Sequence, residues 1–493
     1  MMLAWCLLYL LIILLLGYAL TSLVLRHSPR SLVEQSGLSI VLGAGAMGTI
    51  LLWFSMLGIV PGRTLILIIG FVAAAALIVS FVTRASRPCL SRPHGRDARV
   101  TSALCILPIL GLLAANLLAW IPAMGMPLFE WDSFVIWGLK AKVLYQFALR
   151  PLPDYFSNPA FSYSHVDYPL LFPMLTAGAY AMLGQIDEQL GKIVLPILFA
   201  GQTLMAYVGA RIWLSRLPAL AVALLLIGAP FNIQFAGVGT ADMALTTFRL
   251  ASVVYLIRWI ASTDTLSWYS GRGVGEGLSS IAETSPSPEP SPGVPGEGME
   301  DAVLCGLFTL FAALTKSEGL PLAAINFLLI LVFAIRRREW KHLVGFILVL
   351  GIGLGIWLIF RAQLPHTDEN YLSRLSIASL SQGVQHMGSI LEALFSAFMD
   401  HRNWGILWMI LPILGVIGFR SFSKPTTICL WVLLVSHLAL YAMVYMITPW
   451  NLGELLPVTI PRLLLHVSPT AMLLVAAHAG EILRVAPPPA KSV

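Results

Sequence analysis

Long apolar runs divided by short polar stretches set the rhythm of this chain. Positions 3–25, 38–60, 64–82 and 100–121 are four such runs, each close to the ~20 residues that an α-helix needs to span a bilayer. Further runs at 193–210, 217–231, 241–260, 302–314, 320–334, 344–360, 404–419, 428–446 and 463–483 bring the predicted crossings to about 13. The run at 169–183 differs from these: it is short, begins at Pro169, contains Pro173, and is followed by Asp187 and Glu188. The run before it ends outside and Arg211 and Arg216 mark an inside turn after 193–210, so only one of these two runs crosses. The first is therefore expected to be re-entrant or interfacial, a path tolerated where irregular backbone is buried in protein or lines a watery cavity.

Composition agrees with the pattern. With 58% hydrophobic and 11% charged residues in 493, and a mean hydropathy of +0.84, the chain reads as an all-α, polytopic transmembrane helical bundle. The first run has no positive flank and no small-residue cleavage site, so it is expected to be a retained helix. The net charge of +6 does not imply nucleic acid, because the basic residues cluster between spans. Arg84, Arg87, Arg92, Arg96 and Arg99, opposed only by Asp97, mark a cytoplasmic loop. The run at 100–121 then emerges on the external face. Five single cysteines provide neither a disulfide framework nor a zinc spacing.

Four regions follow. Residues 1–99 hold N-terminal helices and the basic loop, and 100–260 the first half of the membrane core. Residues 261–301, with SPSPEPSPGVPGEG, have too little apolar surface to pack and are expected to be a disordered cytoplasmic insertion, and 302–493 complete the core.

The densest polar chemistry stands just after the fourth run, in FEWDSFVIWGLKAK at 129–142, with Glu130 and Asp132. On this topology His165, Asp167, Asp242, Lys316, Glu318, Arg462 and His466 fall on the same external side, as do Asp368 and Glu369. Single loop charges are cheaply hydrated. Several converging at membrane depth favour one shared polar cavity, since each costs at least a few kcal/mol there.

The order WDSFVIWGLKAK, SHVDYPLLFPML, GTADMALTTF, LTKSEGLPLA and TPWNLGELLPVTIPRLLLHVSP resembles the GT-C glycosyltransferases of the dolichyl-phosphate-mannose protein mannosyltransferase type. The likeness covers roughly 100–477. It departs from that family where an acidic pair is replaced by Glu130-Trp131-Asp132. The resemblance implies a multi-pass enzyme, in the plasma (inner) membrane if bacterial, with its site on the external or periplasmic face. Its partners would be a polyprenyl-phosphate sugar donor, membrane lipid, and a glycan, lipid or protein acceptor.

For such a transfer a carboxylate serves as proton acceptor, Asp132 or Glu130, and Arg462 and Lys316 would hold the leaving phosphate. His165, Asp167, Asp242, Glu318 and His466 would line the substrate site. Helix capping is an equal reading for Asp167 and Asp242, snorkelling for Lys316, and a hydrogen-bonded helix histidine for His466. No cofactor is implied with certainty. A divalent metal ion stays open, its ligands unknown. The rival readings are a transporter or lipid flippase, although no internal repeat is visible, and a polymerase or ligase of lipid-linked glycans.

Overall fold

The computed structural model describes residues 1–25, 30–85, 104–270, 297–365 and 371–485. Most of the arginine-rich loop, Cys89, the central part of the Pro/Ser tract, and Asp368 and Glu369 lie outside them. The described chain is helical throughout, without strands. Among the described residues ten helices are long and apolar enough to cross a membrane: Met2–Val24, Leu32–Met56, Ile106–Gly125, Glu188–Ala210, Asp242–Ser262, Gly298–Thr315, Gly319–Arg337, Trp340–Arg361, Pro425–Ile447 and Leu452–Arg484. The chain is thus an all-helical, multi-pass membrane protein. Two of the thirteen expected crossings, Arg216–Ile227 and Leu407–Ile417, are apolar helices of shorter length, and that expected at 64–82 lies in the helix Arg63–Ala85. The flanks of the expected insertion are helical: one helix runs Asp242–Ser270 and the next begins at Glu297.

Burial is graded from centre to rim. In Asp242–Ser262, 94% of the most apolar window is buried, and in Leu452–Arg484 83%, against 28% in both Ile106–Gly125 and Trp340–Arg361. The outer helices turn Leu107, Leu117, Ile352 and Ile359 outward, as a lipid-facing surface requires. The two innermost helices carry Asp242, Arg462 and His466.

Close packing uses small residues where apolar faces alone give no drive between helices in lipid. A Cβ on Gly17 would lie 1.7 Å from the Ser39 carbonyl oxygen, and one on Gly43 2.1 Å from that of Ile13, so the first two helices meet backbone to backbone. Ser31 starts the second by accepting the Glu34 N–H at 3.2 Å. The last helix contains Pro457, Pro461 and Pro469. Pro469 leaves the Leu465 carbonyl without its i+4 donor, and the Ser468 hydroxyl bonds that oxygen at 2.9 Å.

The helix Leu171–Leu183 is fully buried and ends at Gly184, in the left-handed region at φ 79°. It begins against Gly48, midway along Leu32–Met56. It ends where Arg63 Nε donates to the Met182 carbonyl at 3.0 Å and Gln185 approaches Met2. At the other end of the bundle Arg30, Glu34, Arg258 and Asp301 form a buried ion network, with Arg258 2.5 Å from Glu34 and Arg30 2.9 Å from Asp301. Tyr255 donates to Glu34 at 3.0 Å.

Candidate active site

Asp242 opens the most buried helix, and its carboxylate is shut off from solvent. Three donors from two other segments converge on it. Lys316 Nζ lies 2.9 Å from Oδ1, His466 Nε2 2.8 Å from the same oxygen, and Arg462 2.9 Å from Oδ2. Arg462 also reaches Asp132 Oδ2 at 2.6 Å, and Lys316 reaches Glu318 at 2.8 Å. Three carboxylates, two permanent cations and an imidazole therefore form one continuous network. Four separate segments of the chain build it.

Each position has a local cause. Arg462 and His466 are four residues apart on one helix, hence on one face, and both point at Asp242. Lys316 and Glu318 occupy the turn between the helices Glu297–Thr315 and Gly319–Arg337. Burial alone would lower the ammonium pKa of Lys316, but Asp242 and then Glu318 outweigh it and raise it. Burial would likewise raise Glu318, yet Lys316 foremost holds that carboxyl below its ordinary value.

Asp132 is the first residue of a π-helical turn, Asp132–Gly138, whose wider winding lets the Leu139 N–H bond the Phe134 carbonyl five residues back. The turn is pinned at its start by the Ser133 hydroxyl, which donates to the Glu130 carbonyl at 2.6 Å. At its end only glycine fits, because a Cβ on Gly138 would lie 2.5 Å from Leu128 and 2.8 Å from the Ser133 carbonyl oxygen. The Asp132 side chain is 27% exposed and that of Glu318 25%, whereas Asp242 is closed off, so the network opens to solvent at two carboxylates.

A second polar group borders the first. Asp167 pairs with Arg361 at 2.9 Å, while its other oxygen is buried with no hydrogen-bond partner among the described residues. His165 adopts φ 52°, sparsely populated for a residue with a Cβ, and its ring stacks on Tyr168 at 4.6 Å. Lys140 is wholly buried. Its Nζ donates to the Ser164 carbonyl at 2.5 Å and the Ile136 carbonyl at 3.3 Å. Burial pushes its pKa down to about 7, against the opposing pull of Asp167 and Asp132.

Of the nine residues singled out in the sequence, Asp132, Asp242, Lys316, Glu318, Arg462 and His466 are joined in one network, with Asp167 and His165 at its border. Glu130 is apart from them: its side chain is exposed, and among the described residues only its backbone carbonyl is engaged. Neither lysine of the 129–142 stretch pairs with Asp132, since Lys142 binds Glu188 at 2.5 Å. The sequence reading did not single out Lys140, Arg361 or Lys192. Lys192 bonds the carbonyls of Pro122, Met126 and Pro127 at 3.2, 2.7 and 3.4 Å. A lysine bound to main-chain oxygens leaves no motif in sequence.

Hard cations take several oxygen ligands, whereas the carboxylates of Asp132, Asp242 and Glu318 are each engaged by Arg462 or Lys316. Among the described residues no group of three or more His, Cys, Asp or Glu is placed to hold one.

No family model matches the sequence, and no curated protein matches it. Among solved structures, the fold is similar to the crystal structure of ArnT from Cupriavidus metallidurans bound to undecaprenyl phosphate, with a TM-score of 0.46 and 12% identity. The alignment covers 75% of this chain and 59% of that one.

Proposed function

We propose that this protein is a membrane glycosyltransferase of GT-C architecture that moves a sugar from a polyprenyl-phosphate donor to an acceptor on the external face, with inversion. One observation carries the reading: Arg462 bridges Asp132 and Asp242, 2.6 and 2.9 Å away. It joins a solvent-accessible carboxylate to the buried, cation-rich part of the site. The segments that resemble protein mannosyltransferases supply all six of the network's residues, Lys316 and Glu318 both from LTKSEGLPLA.

In this reading Asp242 and His466 are not reactants. They hold Arg462 and Lys316 in place, so that the two cations face an incoming phosphate already oriented, and preorganised charge of this kind is what stabilises a leaving group. A donor phosphate would replace Asp132 as the second partner of Arg462. The freed Asp132 carboxylate then accepts the proton of the acceptor hydroxyl as that oxygen attacks the anomeric carbon. The bond to phosphate breaks on the opposite face, and its electrons leave on the phosphate held by Arg462 and Lys316. The lipid tail stays in the bilayer, which is why a membrane enzyme is required. The helix Leu171–Leu183 would be the re-entrant wall of the cavity.

The test is transfer by purified protein from a labelled polyprenyl-phosphate sugar to a crude envelope acceptor fraction. Labelled product with inverted anomeric configuration supports the reading. Movement of unaltered substrate across proteoliposomes, without product, would replace it with a transporter.

A further inference from the structure

The segment that carries Asp132 packs Ile136, Trp137 and Leu144 into the core, and two buried lysines occupy the points where its main chain is tied down. Lys192 gathers the carbonyls of Pro122, Met126 and Pro127 at the segment's start. Lys140 sits at the other tie, between the π-helical turn and the turn at 159–164. Its ammonium joins the Ile136 carbonyl on one side to the Ser164 carbonyl on the other, inside a wall formed by the rings of Trp137 and Tyr168 at 5.6 and 5.8 Å.

The peptide so held is the one before His165, the residue with left-handed backbone. Strain of that kind persists only where the surroundings over-determine it. A second bond fixes the same residue, between the Tyr155 hydroxyl and Ser164 Oγ at 2.7 Å. Lys140 has no carboxylate within bonding distance among the described residues, so a surface ion pair is not its role. The charged and titratable groups around it are Asp132 on its own segment, Asp167, Tyr155, His165 and Tyr168, with Arg361 behind Asp167.

We propose that Lys140 is a positioning residue that locks the π-helical turn to the His165 turn and so sets the distance from Asp132 to the rim formed by His165 and Asp167. The proposal rests on the glycosyltransferase reading for its catalytic consequence, not for its structural one. A displacement near 1 Å at a reacting group costs on the order of 100-fold in rate.

Lys140→Met tests it in the full-length protein. Expected is a 10- to 100-fold loss of kcat with KM within about threefold, and almost no further loss when the change is made in an Asp132→Asn background. Equal losses in both backgrounds overturn the proposal, because they describe general destabilisation. Hydrogen exchange supplies the readout that does not need turnover: amides at 132–138 and 161–168 lose protection together in Lys140→Met, and other helices do not. If both segments loosen while the wild type transfers no sugar, the lock stands and the glycosyltransferase reading falls. Unchanged protection overturns the lock whatever the turnover. Should Lys140→Met not purify as a single species, Tyr155→Phe loosens the same Ser164 anchor, with the same paired loss of protection expected and its absence equally decisive.

Discussion

Arg462 meets Asp132 across 2.6 Å, although the two residues come from opposite halves of the chain. The bond crosses from a transmembrane helix to a π-helical turn, and its far side is anchored by Asp242 at 2.9 Å. A guanidinium can do this because its planar fork presents several donors in fixed directions. A lysine at the same place offers one point charge. Arg462→Lys is expected to keep the fold and one of the two contacts, and to raise KM for the lipid donor more than tenfold. Donor titration at fixed acceptor measures this, and an unchanged KM would remove Arg462 from the phosphate side.

Asp132→Asn keeps the shape of the side chain and removes its basicity. General-base contributions run to about 100- to 10,000-fold, and a loss in that range is expected here. Glu130→Gln changes an exposed side chain outside the network and is expected to leave transfer within about threefold, a surface substitution without a partner. Comparing the two variants in one assay decides which carboxylate takes the proton. Full activity in Asp132→Asn would end the present assignment.

Asp242 offers the opposite contrast, because its role is to neutralise. Removing one member of a buried ion cluster costs about 3–5 kcal/mol, since the remaining charges stay buried without a partner. Asp242→Asn leaves Lys316 and Arg462 facing each other and is expected to lower thermal stability in detergent by that order. Adding Lys316→Met should recover part of the loss, a non-additivity expected of residues in direct contact. A purely additive pair would mean that the two do not share one network.

Much of this site was legible because charge is rare in an apolar sequence. Asp242, Lys316, Arg462 and His466 stand at the ends or within the first turns of hydrophobic runs, where a charged group needs a reason, and crossing parity put them on one side. The i, i+4 spacing of Arg462 and His466 even indicated a shared face. What could not be read are contacts with no local signature. Lys140 and Lys192 bond main-chain oxygens, Gly138 is crowded by Leu128 ten residues earlier, and Glu34 finds Arg258 more than two hundred residues away. Local breaks were equally hidden: 217–231 and 404–419 are apolar for their full length, yet their helices are interrupted before Pro230 and after Trp404.

The depressed pKa of Lys140 makes a prediction about stability whose sign can be worked out. Folded, the ammonium gives up its proton near pH 7; in the unfolded chain the value is 10.5. Between these limits the unfolded state binds the extra proton, so this residue's contribution to stability rises with pH through that window. Below pH 7 the burial penalty is present in full. Wild-type protein should therefore gain melting temperature between pH 7 and 10 relative to Lys140→Met, which has no proton to release. Parallel curves for the two proteins would show that the Lys140 amine is not desolvated as its surroundings indicate.

Arg249 poses a last question inside the bundle. It lies seven residues beyond Asp242 on the same helix, about 10 Å further in at 1.5 Å per residue, and is 1% exposed. Its Nε and one terminal nitrogen have no hydrogen-bond partner among the described residues, and the same holds for the Tyr441 hydroxyl and His437 Nε2. A buried charge without a partner is a net cost, and replacing it with an apolar side chain of similar length is commonly neutral or stabilising. Arg249→Met is expected to raise the melting temperature of the purified protein. If stability instead falls by several degrees, the guanidinium is balancing the excess of acids over cations in the network above it. In that case Asp132→Asn, which removes one of those acids, should restore part of what Arg249→Met loses.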